Sequence, residues 1–149
     1  MIIKNKNELS LVHELLNTSD KISLDVETTG LNVRKDKVIG IGLSNGINSV
    51  YVCHLDWNSS DQSLEEVLEK TIVLSLLERL LNKKLVMWHG KFDVQIIGHY
   101  FGIDLAPAIW SDGMLAKHTV DEDFPFGLKE VAAREYGSDA KKEQEELKA

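Results

Sequence analysis

The chain has one cysteine, two prolines and a shortage of positive charge, with 17 Lys and Arg against 24 Asp and Glu for a formal net charge of −7. A lone Cys53 cannot close an internal disulfide, and no Cys or His pair stands at zinc-binding spacing. Neither a disulfide scaffold nor a structural zinc site is therefore encoded. His13, His54, His89, His99 and His118 are scattered, as surface or capping histidines usually are. No apolar run approaches the roughly 18 residues of a membrane helix. Behind Lys4 and Lys6 there is no apolar stretch or small-residue cleavage site, so the chain reads as soluble, unsecreted and cytoplasmic. The acid surplus argues against a duplex-binding module built on a broad basic patch. It does not exclude a protein that meets phosphates through bound divalent ions, and it predicts weak nucleic-acid binding without them.

With so little proline, no internal repeat and no Gly- or Ser-rich linker, residues 1–137 read as one domain. A charged tail follows over 138–149. A length of 149 residues, 43% apolar and 28% charged, can bury one good core. Met1 to Ile3 read as extended, and Leu9, Val12 and Leu16 give a short amphipathic helix ended by Asn17 to Asp20. Strands are expected at 21–26, 38–43 and 48–54, with Asn45-Gly46 as a hairpin turn and Cys53 as strand packing. Ser63-Leu64-Glu65-Glu66 reads as a capping box opening a helix whose apolar stripe runs from Leu64 to Leu81. A short apolar strand at 85–88 and a helix holding Asp93 near its start come next. Three antiparallel strands, a helix, a parallel strand and more helices make a layered α/β fold.

The chemistry lies in Leu24-Asp25-Val26-Glu27-Thr28-Thr29-Gly30-Leu31. Asp25 and Glu27 are two apart on a strand, so they share a face, and they sit where the strand runs out into a loop. Two carboxylates so placed can hold a metal. Alone, such a pair is more often the exposed face of an edge strand. Asp93, after Trp88-His89-Gly90-Lys91-Phe92, could by itself be a helix-capping acid.

The two segments in this order resemble the first two motifs of the DEDD 3′-5′ exonucleases, and within that superfamily the proofreading domain of family A DNA polymerases. Ile109-Trp110-Ser111-Asp112-Gly113-Met114-Leu115-Ala116 is similar to that domain's Asp-Thr-Met-Leu-Ala segment, and Gly127-Leu128-Lys129-Glu130-Val131-Ala132 to its Gly-Leu-Lys-x-Leu-Ala helix. The resemblance implies a ribonuclease H-like mixed sheet with helices on both faces. It implies Asp25, Glu27 and Asp93 as catalytic carboxylates holding two divalent ions, Mg²⁺ or Mn²⁺, roughly 3.5 to 4 Å apart. Asp25 would bridge both ions and each of the other two acids would hold one. Substrate contacts would come from Thr28, from His89 and from Leu31, whose family counterpart wedges between the last two bases. Read without the family, Leu31 is an ordinary core leucine. The implied substrate is a single-stranded or frayed DNA 3′ end.

Three departures stand against the pattern. Trp88-His89 replaces the common His-Asn pair, and Gly113 replaces a Thr. The family's fourth carboxylate, in Tyr-x-x-x-Asp, has no counterpart: Tyr136 and Asp139 are three apart with Gly137 between them, and Tyr136 reads as a core anchor. The expectation is a chain lacking its C-terminal helices, its remaining exonuclease helix carried by a polymerase polypeptide, with an apolar patch beside Asp25 and Glu27 that is left exposed or buried by another copy of the chain. A non-catalytic 3′-end-binding or structural module, or a fourth ligand from Asp121, Glu122 or Asp123, are the alternatives.

Overall fold

A computed structural model describes residues 1–123 and 125–137. Its centre is β2, Lys21–Thr28, where Ile22, Leu24 and Val26 are buried and Lys21, Ser23, Asp25 and Glu27 are exposed. A period of two on a sheet strand separates these residues onto opposite faces. On one side β2 pairs antiparallel with β3 (Val38–Ser44), which pairs with β4 (Ser49–Cys53), and β1 (Ile2–Ile3) adds in parallel at the edge. On the other side β7 (Lys84–Met87) and then β8 (Ile109–Asp112) run parallel to it, giving the order β1-β4-β3-β2-β7-β8. The β3–β4 turn is the expected one. Gly46 takes φ +88° and the Asn45 side chain accepts from Ile47 N and Asn48 N.

Three helices cover the apolar face: α1 (Leu9–Thr18), α2 (Lys70–Leu80) and α3 (Gly90–Phe101). They bring Val12, Leu15, Leu16, Val73, Leu76, Leu77, Leu80, Ile96 and Ile97 into one cluster with Ile22, Leu24, Ile41, Leu43 and Leu85. Each such side chain contributes about 1.5 to 3 kcal/mol by leaving water. The remaining helices, α4 (Gly113–Val120) and α5 (Leu128–Tyr136), bury far less: no residue of α4 and only Val131 of α5. A mixed sheet with five α-helices among the described residues is the ribonuclease H-like exonuclease fold.

Two local expectations fail. Ser63–Glu66 does not open a helix but forms β6, paired antiparallel with β5 (Leu55–Asn58), with Trp57 opposite Leu64. Long-range pairing overrides the local cap here. Asn58 Nδ2 donates to Glu65 Oε1 at 2.6 Å, and fully buried His54 binds Leu68 O at 2.7 Å and the Tyr100 hydroxyl at 3.0 Å. Together these hold the chain in a hairpin until Lys70, whose N–H donates to Glu66 Oε2. The strand expected at 48–54 is β4, and His54 separates it from β5. Tyr136 is not a core anchor: it is 89% exposed at the end of α5, just before Gly137 at φ +100°. Asp139 and the 138–149 tail lie outside the described residues.

Candidate active site

The acids stand where β2 leaves the sheet. Asp25 is opposite Gly42 and Glu27 opposite Gly40, so no β3 side chain covers either carboxylate, and the register shifts between Glu27 and Thr28. The Tyr51 ring fills the space at Gly40, where an added Cβ would come within 2.5 Å of it. Burial, then the charges of Cys53, Glu27, Asp56 and Asp25, push the Tyr51 phenol up to about 12. Burial also raises the Asp25 carboxyl, against one bond from Val26 N–H.

Beyond Thr28 the chain makes a braced loop. Thr28 Oγ1 donates to Gly30 O, Thr29 N–H to Lys37 O, and Thr29 Oγ1 to Asp36 Oδ1. Asp36 Oδ2 accepts from Asn32 N–H at 2.7 Å and stands 2.7 Å from where a Cβ on residue 30 would fall, so a side chain there would have to displace the brace. This bracing turns Leu31 outward. It is 86% exposed, and the core-leucine reading is overturned.

Asp93 is the opposite case. It lies in the first turn of α3, is 6% exposed, and its Oδ2 has no hydrogen-bond partner among the described residues. A buried carboxylate oxygen without a donor costs on the order of 1–3 kcal/mol, so the helix-cap reading gives no account of it. Burial first, then the charges of Asp25, Asp112 and Glu27, push its carboxyl up to about 7. The three acids therefore feel one another across the end of the sheet. Among the described residues no three His, Cys, Asp or Glu side chains draw together as a finished metal cluster. An orphaned buried oxygen on an acid that feels two neighbouring carboxylates nevertheless fits a divalent cation, since a positive charge there would both bind that oxygen and relieve the repulsion.

His89 precedes α3 in a left-handed conformation, φ 58° and ψ 42°, exposed, with its N–H bonded to Asp112. Asp112 is the acid to which sequence reasoning gave no role; only its place before Gly113-Met114-Leu115, as a helix cap, could have marked it. Two departures from the family pattern are also one adjustment. A Cβ at Gly113 would meet the Trp88 ring at 2.6 Å, so the tryptophan requires the glycine, and Trp88 Nε1 donates to Phe126 O at 2.9 Å. Asp121 faces Arg134 at 3.5 Å, and neither it nor Glu122 or Asp123 is among the charges acting on Asp93. Beside Asp25 an open cavity of about 600 Å³ is lined by apolar Leu43, Val50, Trp88 and Leu128 together with Ser23 and Ser44.

Fold and acids together define a nuclease of the ribonuclease H-like class. A family model described as 3′-5′ exonuclease, of the DNA polymerase A type, matches residues 1–149, and the chain belongs to that family. No curated protein matches it. Among solved structures, Brucella melitensis NrnC is similar at 19% identity and TM-score 0.61 over 91% of this chain and 59% of that one. Escherichia coli RNase D, an exoribonuclease involved in structured RNA processing, aligns at 17% and 0.62 over 92% of this chain and 33% of that one. The catalytic core of Trypanosoma brucei RRP6 aligns at 12% and 0.62 over 89% and 33%. At these identities the likeness is one of fold, and the chain spans well under two thirds of each neighbour. Among the described residues no helix is long and apolar enough to cross a membrane.

Proposed function

We propose that this chain is the proofreading-type part of a family A DNA polymerase and hydrolyses nucleotides from single-stranded or frayed DNA 3′ ends with divalent cations. The observation that carries this reading is Asp93: buried, its Oδ2 unpartnered, and pushed up to about 7 within range of Asp25 and Glu27. Those three residues would hold two Mg²⁺ or Mn²⁺ ions. Bound there, the cations would supply an activated water and neutralise the phosphate charge. Asp25 and Glu27, left open to solvent opposite glycines, give a terminal phosphodiester room to approach. Asp93 contributes an acid whose ionised form a bound cation would favour. Leu31, held outward by the Asp36 brace, would offer an apolar tip to an unstacked terminal base, with Thr28 and His89 as the other substrate contacts.

The cavity beside Asp25 supports a second element of the proposal: a polypeptide segment of a polymerase packs there and brings the fourth carboxylate. The fold likeness to ribonucleases favours one further reading, that the strand is RNA. The absence of a drawn-together metal cluster among the described residues favours another, a non-catalytic 3′-end-binding module. Purified chain would be incubated with 5′-labelled single-stranded DNA or RNA and Mn²⁺ beside an Asp25→Ala control. A DNA ladder shortened from the 3′ end and lost in the control is the expected result, from the chain alone or after addition of a polypeptide carrying the missing acid. A ladder from RNA only would replace the substrate, and 3′-end binding without cleavage under either condition would overturn the catalytic reading.

A further inference from the structure

The Asp112 carboxylate, at the end of β8, accepts four backbone N–H bonds. Oδ1 takes those of His89 at 3.1 Å, Met114 at 3.0 Å and Leu115 at 3.3 Å, and Oδ2 takes that of Gly90 at 2.8 Å. Two of the four cap α4, as an N-terminal aspartate commonly does. The other two reach back 23 and 22 residues to the start of α3. His89 has a left-handed backbone there, a strain of about 1 kcal/mol or more for an L side chain, and its own side chain makes no capping bond. Asp112 offsets that strain from outside the segment. Asp93 lies three residues after Gly90, so whatever fixes the Gly90 N–H fixes the helical turn that carries the buried Asp93 carboxyl.

We propose that Asp112 is a positioning residue: through its Oδ2 bond to Gly90 it sets the Asp93 carboxylate against Asp25 and Glu27, without being the fourth acid of the site. Oδ1 is saturated by three N–H donors and Oδ2 is already tied to Gly90, so most of the carboxylate is engaged in holding α3 and α4. The inference rests on the proposed exonuclease reading only for the use to which Asp93 is put.

Asp112→Asn separates the two duties. Its amide oxygen can still accept from Met114 and Leu115, while its NH₂ cannot accept from Gly90. The expected result is a near-unchanged melting temperature, faster exchange of the Gly90 amide, Mn²⁺ affinity about 10- to 100-fold weaker by calorimetry, and a fall in kcat with KM for single strand held. Asp112→Glu restores the charge one methylene out of place and should not restore Mn²⁺ affinity; full rescue by Glu would overturn the positioning role in favour of charge alone. Asp112→Ala should also lower the melting temperature, and Asp104→Asn, a cap elsewhere that bonds Ala106 N, should alter neither cation affinity nor kcat. Asp112→Asn with wild-type Mn²⁺ affinity and kcat would overturn the proposal. A wild-type chain that binds no Mn²⁺ would overturn the exonuclease reading instead. The positioning claim would then be read from Asp112→Glu, which keeps the charge and misplaces it: a changed ¹³C shift of the Asp93 carboxyl and faster Gly90 amide exchange support the claim, and wild-type values overturn it.

Discussion

Ile22, Leu24 and Val26 leave one face of β2 closed to solvent, whereas Ser23, Asp25 and Glu27 leave the other face open. On the first face three helices seal one cluster; on the second, α4 and α5 contribute a single buried side chain, Val131. The same strand thus supports stability on one side and charge on the other. The difference has a physical cause: carboxylates desolvated by packing are pushed toward their neutral form, so acids that are to hold a cation, as proposed, stay on the open face. Asp93 is the exception that joins the two regimes, buried with the core yet acting toward the acids.

Breaking the open face should destroy activity and spare the fold. Asp25→Ala is expected to reduce exonuclease turnover on the order of 10³-fold, about 4 kcal/mol of barrier, with a urea midpoint at or above that of wild type. Breaking the closed face should do the reverse. Leu24→Ala, at 3% exposure, is expected to cost about 3 kcal/mol in urea unfolding, and equal stability of the two variants would erase the distinction between the faces.

Asp93 sharpens the comparison through pH. Its carboxyl rises from 3.8 to about 7 on folding, so the folded state holds the proton more tightly. The metal-free protein should therefore lose stability as pH rises from about 4 to about 7 and level off above. Asp93→Asn removes that fall. It is expected to be more stable than wild type by about 4 kcal/mol at pH 8, with the gap closing near pH 4, as thermal melts with chelator would show. A pH-independent gap would mean that the buried acid is not the source.

Smaller effects come from the α4 side. Gly113→Ala drives a Cβ against the Trp88 ring and should cost about 1–2 kcal/mol, recovered in part by Trp88→Leu in the double variant. Additive single effects would show the two residues to be independent. Least of all, Leu31→Ala should change stability by under about 0.5 kcal/mol, since its side chain stands in solvent, while raising KM for a single-stranded 3′ end. An unchanged KM would remove Leu31 from the substrate contacts.

Much of this was legible in the residues. The period of two in Lys21–Thr28 separated the faces, Asn45-Gly46 marked its hairpin, and the place of Asp93 after a short apolar strand put it in a first helical turn. Ser63–Glu66 misled because its capping pattern is local, whereas the pairing with Leu55–Asn58 and the buried His54 bonds that override it are not. Leu31 misled because hydrophobicity alone says nothing of the Asp36 brace that turns it outward.

The sequence by itself determined the alternation that builds the sheet, the acids it carries and the family to which they belong, because strand period and residue chemistry are local properties. Only the tertiary structure decided that Asp93 is buried with an orphaned oxygen, that Asp112 ties α3 to α4, and that Trp88 requires Gly113. Each of those depends on groups distant in the chain meeting within a few ångströms, and desolvation and hydrogen bonding take their sign from that meeting.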